Sequence, residues 1–474
     1  LYIIIQDTSQ SSHTVKKNYP IVGRFRYFLE SFRPEMRQYF FEGELDGKPF
    51  NRRQRSIVYQ RAKNVKQTIS FGMQDDPNRI GYEWAAHSIY PKRADKQFFR
   101  TTVGNEQCLQ PYSASIYNIS AMSYGALSKT AISSLNKGAQ LGGFAHNTGE
   151  GGISNFHLEG GDLIWQIGTG YFGCRNDDGT FSEQLFAEKT SFPQVKMIEL
   201  KLSQGAKPGH GGLLPGEKNT PEIAKIRNIQ PHIAVHSPAG HTAFSNSVEL
   251  LYFLKKMRDL SKGKPVRFKI CIGRQDEFIS IIQAMKETGI VPDFITVDGA
   301  EGGTGAAPLE FIDYMGMALA DGLIFVSKVL KEYGLRDQIK IMASGKIITG
   351  FDIAKAMSLG ADACYSARGM MFALGCIQAL QCDSGKCPVG IATQDKNLYK
   401  GLDINDKSVR VAHFHNNTLK AFAEFIGACG FDSPKAITPD VFYRRIDHKT
   451  NESFASLFFN NYENKTKTEK INLN

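Results

Sequence analysis

A chain of 474 residues with 42% hydrophobic content can bury a barrel-sized core and a further region besides. Its 57 Lys and Arg against 47 Asp and Glu leave a net charge of +10, an excess that suits anionic substrates, a phosphate-bearing cofactor or a membrane surface. Nucleic acid is not expected, since no zinc finger, RNP aromatic signature or helix-turn-helix pattern is present, and no apolar run reaches the roughly 18 residues of a membrane span.

Residues 1–114 read as a helical and extended region. The chain opens Leu1-Tyr2-Ile3-Ile4-Ile5 without an initiator Met, as a segment beginning inside a longer gene product would. From Gly23 to Phe41, Arg24, Arg26, Arg33 and Arg37 interleave with Phe25, Tyr27, Phe28, Tyr39 and Phe40. A helix of that kind either lies at a membrane interface or packs on a core as a solvated edge. The first alternative predicts a protein on the cytoplasmic side, anchored through segments before Leu1.

The middle of the chain alternates β-branched runs with helical patterns. Strands are predicted at Ile116–Ser123, Gly143–Thr148, Leu163–Gly168, Lys196–Ser203, Val266–Ile272, Phe294–Asp298, Ile339–Ser344 and Ala363–Arg368. Helices are predicted at Lys129–Gln140, Ser247–Asp259, Phe278–Glu287, Phe311–Tyr333 and Gly350–Leu359. Eight such units over residues 115–394 predict an α/β fold, a (β/α)8 TIM barrel, whose chemistry sits at the C-terminal strand ends. An open doubly wound sheet fits less well, because no G-x-G-x-x-G follows the first strand. Residues 395–474 read as a short helical segment ending in a charged, disordered tail around Lys465–Lys470.

After the fourth strand the Gly- and Pro-rich run Gln204–Gly216 predicts a shaped lid over the barrel mouth. Beneath it, Ser123, Glu150, Gln166, Lys201, Lys269 and Asp298 fall at strand ends and converge. A Lys within an apolar strand needs an anion. Lys269 therefore either faces the N1 and O2 edge of a flavin or pairs with a buried carboxylate. Glycines after the last three strands, at Gly299–Gly305 with Gly303, at Ser344-Gly345-Lys346 and at Ser366-Ala367-Arg368-Gly369, predict loops that approach a phosphate. Flavin mononucleotide (FMN) would use both features.

Three of the chain's eight cysteines, Cys376, Cys382 and Cys387, crowd into one run that closes Cys387-Pro388. Thiolates followed by Pro recur in iron–sulfur ligation. Zinc would want a fourth ligand and closer pairs, so three thiolates favour a three-iron cluster.

Five ordered motifs now carry a resemblance: Ala121–Ser128, Gly149–Gly152, Glu199–Gly209, Gly302–Ala306 and the Cys376/Cys382/Cys387 run. Over roughly residues 115–394 the chain resembles the synthase domain of the glutamate synthases, and its layout looks most like their stand-alone FMN-binding members. The resemblance implies FMN, a 3Fe-4S cluster held by those cysteines, and reduction of the imine of 2-oxoglutarate and ammonia to L-glutamate. It implies that Lys201, Lys207 and Arg227 hold the keto acid's carboxylates and that Glu150 stands near the reacting carbon. Met122, Ser123 and Gln166 would lie along the flavin, with Lys269, Asp298, Gly303, Gly345, Lys346, Arg368 and Gly369 completing its site. A separate reductase or ferredoxin would supply electrons.

The chain also departs from the full-length enzymes. It shows no glutaminase domain, so glutamine hydrolysis is not expected on it. Leu213 stands where Gln usually precedes Leu-Pro-Gly, and Ser237-Pro238-Ala239-Gly240-His241 replaces a Pro-Pro-His-His stretch. Two alternatives therefore stay open: an FMN-dependent dehydrogenase of another amino or hydroxy acid, and a membrane-associated flavin and iron–sulfur electron-transfer module.

Overall fold

The computed structural model describes residues 1–65, 67–95, 97 and 99–460. The charged tail expected around Lys465–Lys470 lies outside them. Two compact units divide the chain at Leu1–Ile57 and Val58–Asn474.

The first unit is helical, with Tyr2–Ser9, Thr14–Asn18 and Val22–Met36 followed by a π-turn at Arg37–Phe41. Asp7 ties it together, accepting hydrogen bonds from the Ile21 amide (3.0 Å) and from Arg24 Nε (2.8 Å). The long helix leaves Phe25, Phe28, Leu29 and Phe32 exposed. Among the described residues, no helix is long and apolar enough to cross a membrane.

In the second unit eight parallel strands close into a barrel. We label them β1 (Tyr117–Ile119), β2 (His146–Asn147), β3 (Leu163–Ile167), β4 (Val195–Lys201), β5 (Val266–Ile270), β6 (Phe294–Asp298), β7 (Lys340–Ser344) and β8 (Ala363–Ser366). Neighbours in sequence pair throughout, and β8 returns to β1, with Ser366 opposite Ile119. The predicted (β/α)8 barrel is thus the observed fold.

The structure differs from the sequence pattern in three places. The second strand starts later than Gly143, because that residue is the left-handed C-cap (φ 67°) of the helix Lys129–Gly142. No long helix follows β2; a single 3-10 turn at Asn155–His157 takes its place. The continuous helix expected over Phe311–Tyr333 breaks into Leu309–Tyr314 and Leu319–Glu332. Gly316 lies in the break with φ 87°, and a Cβ there would come 2.7 Å from Cys271 Sγ.

Beyond residue 394 the chain forms the 25-residue helix Ile404–Ala428, which lies along Lys129–Gly142. Glycine lets two elements approach it closely: a Cβ on Gly138 would sit 2.6 Å from Val411 Cβ, and one on Gly350, which opens the helix Gly350–Ser358, would sit 2.6 Å from the Phe422 amide nitrogen. The same C-terminal region adds strands, Phe442–Arg445 pairing antiparallel with both Glu83–Ala85 and Asn451–Ser453.

Candidate active site

The last residue of β4, Lys201, places its ammonium 2.8 Å from Glu150 Oε1, on the loop after β2. Room for that pair comes from Gly168 at the end of β3. A Cβ on Gly168 would lie 2.2 Å from Glu150 Oε2 and 2.8 Å from Glu150 Cβ. The adjoining cleft is lined by Glu150, Thr169, Lys201, Gln204, Lys207 and Gly211 among others.

The lid expected after β4 is a folded excursion. Its first residues are pinned to the barrel, because Gly205 N–H donates to Asp298 Oδ2 at 2.9 Å and a Cβ on Gly205 would overlap the Gly299 carbonyl. The lid then forms an antiparallel pair, Leu213–Leu214 with Val235–His236, enclosing the helix Pro221–Arg227 capped by Thr220. That helix returns Arg227 to the back of the Glu150–Gly151 loop, 3.1 Å from where a Cβ on Gly151 would lie, and there the buried guanidinium donates to the Tyr124 carbonyl at 3.2 Å and lies over the Phe172 ring.

Glu150, Lys201, Lys207 and Arg227 thus converge, three cations around one carboxylate. Burial works against ionisation of Glu150, but Lys201, then Lys207 and Arg227, outweigh it and hold the carboxyl below its usual range. Burial, reinforced by Lys201, lowers Lys207 below an ordinary lysine. Arg227 is pushed down to about 10 by burial, against the pull of Glu150. Each shift marks charge held out of water, which is where an anionic ligand is bound most strongly.

The other mouth residues divide between open and occupied groups. Lys269 pairs with Asp298 at 3.2 Å, so the strand-five cation meets a buried carboxylate. Gln166 is buried, and its amide donates to Glu199 Oε1 at 2.6 Å below the mouth. Met122 is buried and Ser123 half-buried on the loop after β1. At the far side Gly345 (φ 154°) and Lys346 (φ 49°) turn the chain after β7. A Cβ on Gly303 would meet Arg368 Nε at 2.7 Å, and one on Gly369 would meet Ser366 Oγ at 2.4 Å. Arg368 is drawn down to about 10 by burial, opposed by Asp298 and Glu301. Glycine thus lets these backbone segments pack closely against Arg368 and Ser366, and Arg368 Nη2 donates to the Glu301 carbonyl.

Several residues that sequence reasoning missed complete the barrel. Glu199 and Arg267 form a fully buried ion pair in its interior. Glu199 also accepts from Asn147 (2.7 Å) and Thr296 (3.0 Å), while Arg267 donates to Tyr365 OH (2.8 Å). The signal was available: Glu199 lies two residues before Lys201, and Arg267 two before Lys269, so each faces inward with its neighbour. His241, half-buried and pushed down to about 4, is neutral. Its Nε2 lies 2.8 Å from the Lys201 carbonyl and must donate to it, leaving Nδ1 to accept from Tyr171 OH at 3.2 Å.

The cysteine loop follows the helix Arg368–Leu374 and bends through left-handed residues Gln378 and Leu380. Among the described residues, none of the three forms a disulfide. Cys382 is raised by burial and by the neighbouring Cys387, whereas Cys376 Sγ accepts from the Gln378 amide at 3.4 Å. Among the described residues, no group of three or more His, Cys, Asp or Glu is close enough to hold a metal ion. As folded, the loop is not a closed ligand set.

The family model for the conserved region in glutamate synthase matches residues 89–432. The chain belongs to the glutamate synthase family. It is similar to the glutamate synthase large subunit-like protein YerD of Bacillus subtilis, at 38% identity covering 94% of this chain and 93% of that one. It is also similar to the archaeal glutamate synthase (NADPH) of Methanocaldococcus jannaschii, at 34% identity over 76% of this chain and 67% of that one. A third relative, the archaeal-type glutamate synthase (NADPH) of Thermotoga maritima, is 35% identical over 67% of this chain and 60% of its own length. This glutamate synthase-like chain is accordingly an oxidoreductase, and its match takes in the barrel, the lid and the cysteine loop together.

Proposed function

We propose that the chain reduces the imine formed from ammonia and a dicarboxylic keto acid of the 2-oxoglutarate type, giving the amino acid, with FMN at the barrel mouth. The observation that carries this reading is the charge of the cleft. Three cations against one carboxylate leave a surplus of two positive charges, which matches a dianion. The relatives' printed names support the same chemistry.

Lys201 and Arg227 would each take a carboxylate, and the planar Arg fork suits two-point binding. Glu150 stays ionised and holds the Lys201 ammonium at the cleft wall. Lys207, lowered by burial and by Lys201, would deliver a proton as water leaves the condensing carbon. The lid excludes water, which protects the imine from hydrolysis.

FMN would be held at the mouth by the glycine-bearing loops of Gly303, Gly345, Lys346, Arg368 and Gly369, whose backbone and guanidinium donors suit a phosphate. Met122 and Ser123 would line the ring, with Lys269 and Asp298 beside it and Gln166 beneath. FMN, when bound, supplies the hydride that the imine carbon receives. A separate reductase or ferredoxin is the proposed electron source. Cys376, Cys382 and Cys387 have the donor chemistry of a 3Fe-4S ligand set, and their loop would have to close to hold one.

The test is a visible spectrum of the purified protein, followed by anaerobic reduction with dithionite in the presence of ammonium and 2-oxoglutarate. Flavin absorbance, its perturbation by 2-oxoglutarate and formation of glutamate are expected. A protein that stays colourless after reconstitution with FMN overturns the reading, and turnover of a different keto acid alone moves the substrate. Iron content unchanged in Cys382→Ser would remove the cluster.

A further inference from the structure

Lys218 stands on the lid, in the turn Gly216–Lys218, just before the helix that carries Arg227. Its ammonium is used elsewhere than in the cleft. Nζ donates to the carbonyls of Cys382 (3.3 Å) and Asp383 (2.9 Å) on the cysteine loop. Its Cε packs where a Cβ on Gly385 would lie 3.5 Å away.

A second set of bonds joins the same segments by another path. Ser128 Oγ donates to the Gly390 carbonyl (2.7 Å), and the Ser128 amide donates to Ile391 (2.8 Å). Gln394 Nε2 donates to the carbonyls of Gly125 (3.1 Å) and Leu127 (3.0 Å). The same turn receives the lid. Arg227 Nη2 donates to the Tyr124 carbonyl, would stand 2.9 Å from a Cβ on Gly125, and shares its helix with Glu222, which accepts from Tyr124 OH at 2.5 Å. Lid, Tyr124–Ser128 turn and the segment from Cys376 to Gln394 therefore close a ring of contacts. Lys218 is the lid's direct bond to the thiol-bearing part of it.

We propose that Lys218 is a positioning residue that latches the lid onto the cysteine loop, so that keto-acid binding and ordering of residues 376–390 favour each other. The proposal rests on the keto-acid reading of the cleft. Two sites are coupled when both bias one element, and the lid meets that condition by carrying Arg227 at one contact and Lys218 at the other. The coupling must then be reciprocal: whatever orders the cysteine loop tightens keto-acid binding by the same factor.

Hydrogen exchange read by mass spectrometry tests it on the full chain, with and without saturating 2-oxoglutarate. In the wild-type protein the keto acid is expected to slow exchange about fivefold or more both at Lys201–Lys207 and at residues 376–390. In Lys218→Met the first protection is expected to remain and the second to disappear, with 2-oxoglutarate bound about fivefold more weakly and flavin absorbance unchanged. Lys218→Arg is expected to restore both. Protection at Lys201–Lys207 without protection at 376–390 in the wild-type protein overturns the latch alone, as does full protection at 376–390 in Lys218→Met. No protection at either place overturns the keto-acid reading and the latch with it.

Discussion

Two acid–base groups lie one above the other in the barrel, and their surroundings differ sharply. Glu199 and Lys201 are neighbours on the inward face of β4. The lower group is balanced and sealed. Both Glu199 oxygens are occupied, by Asn147 and Gln166 on one and by Thr296 and Arg267 on the other, and Arg267 lies 4.2 Å from the Phe294 ring centroid. The upper group is unbalanced, with Lys201 and Lys207 in the cleft wall and Arg227 buried behind it, all set against Glu150 alone. A buried carboxylate is tolerated when its oxygens are partnered and its charge is met, whereas the upper group keeps positive charge in excess.

The largest effect should come from breaking the lower pair. Glu199→Gln strands Arg267 in the core and is expected to cost about 3–5 kcal/mol, measured by urea denaturation, with part of that recovered in the double variant Glu199→Gln, Arg267→Met. Breaking the upper group should act on binding instead. Lys201→Met is expected to weaken 2-oxoglutarate by about 10- to 100-fold, from the roughly 1.5–3 kcal/mol of a charged hydrogen bond, as read by flavin titration, with a smaller change in stability.

Acid sharpens the contrast further. His157 is held down to about 3, and His241 and His415 to about 4, all chiefly by burial. Folded, they stay neutral; unfolded, they take up protons below a pH of about 6.5. Stability should therefore fall as pH drops from about 6.5 towards about 4, by up to about 1.4 kcal/mol per unit for each histidine. Denaturation midpoints at several pH values would show it, and His241→Gln should reduce the slope by one share. Exposed pairs set the floor: Lys255→Ala, which removes the 2.7 Å contact to Asp259, should change stability by no more than about 0.5 kcal/mol.

Much of this arrangement was legible in the chain. The alternation of strand and helix patterns located all eight barrel strands, and β6 runs over the expected Phe294–Asp298. Lys201 and Lys269 stood out because a cation inside an apolar strand demands a partner. Arg227 was different. It lies 26 positions beyond Lys201 by residue number, on a helix that only the lid's folding brings back, so no periodicity marks it and only the family resemblance pointed there. Glu199 is less visible, because its partner Arg267 lies on the neighbouring strand and only the shared inward face of β4 relates it to Lys201. The break at Gly316 escaped because the apolar pattern continues through it, while the cause, the sulfur of Cys271, lies on another segment.

Gly168 has a consequence that reaches past its own strand. The hydrogen at its α-carbon stands in for a methyl group that could not coexist with the present pose of Glu150. Alanine there would evict the lone acid from among the bases while leaving every stave of the cask in place.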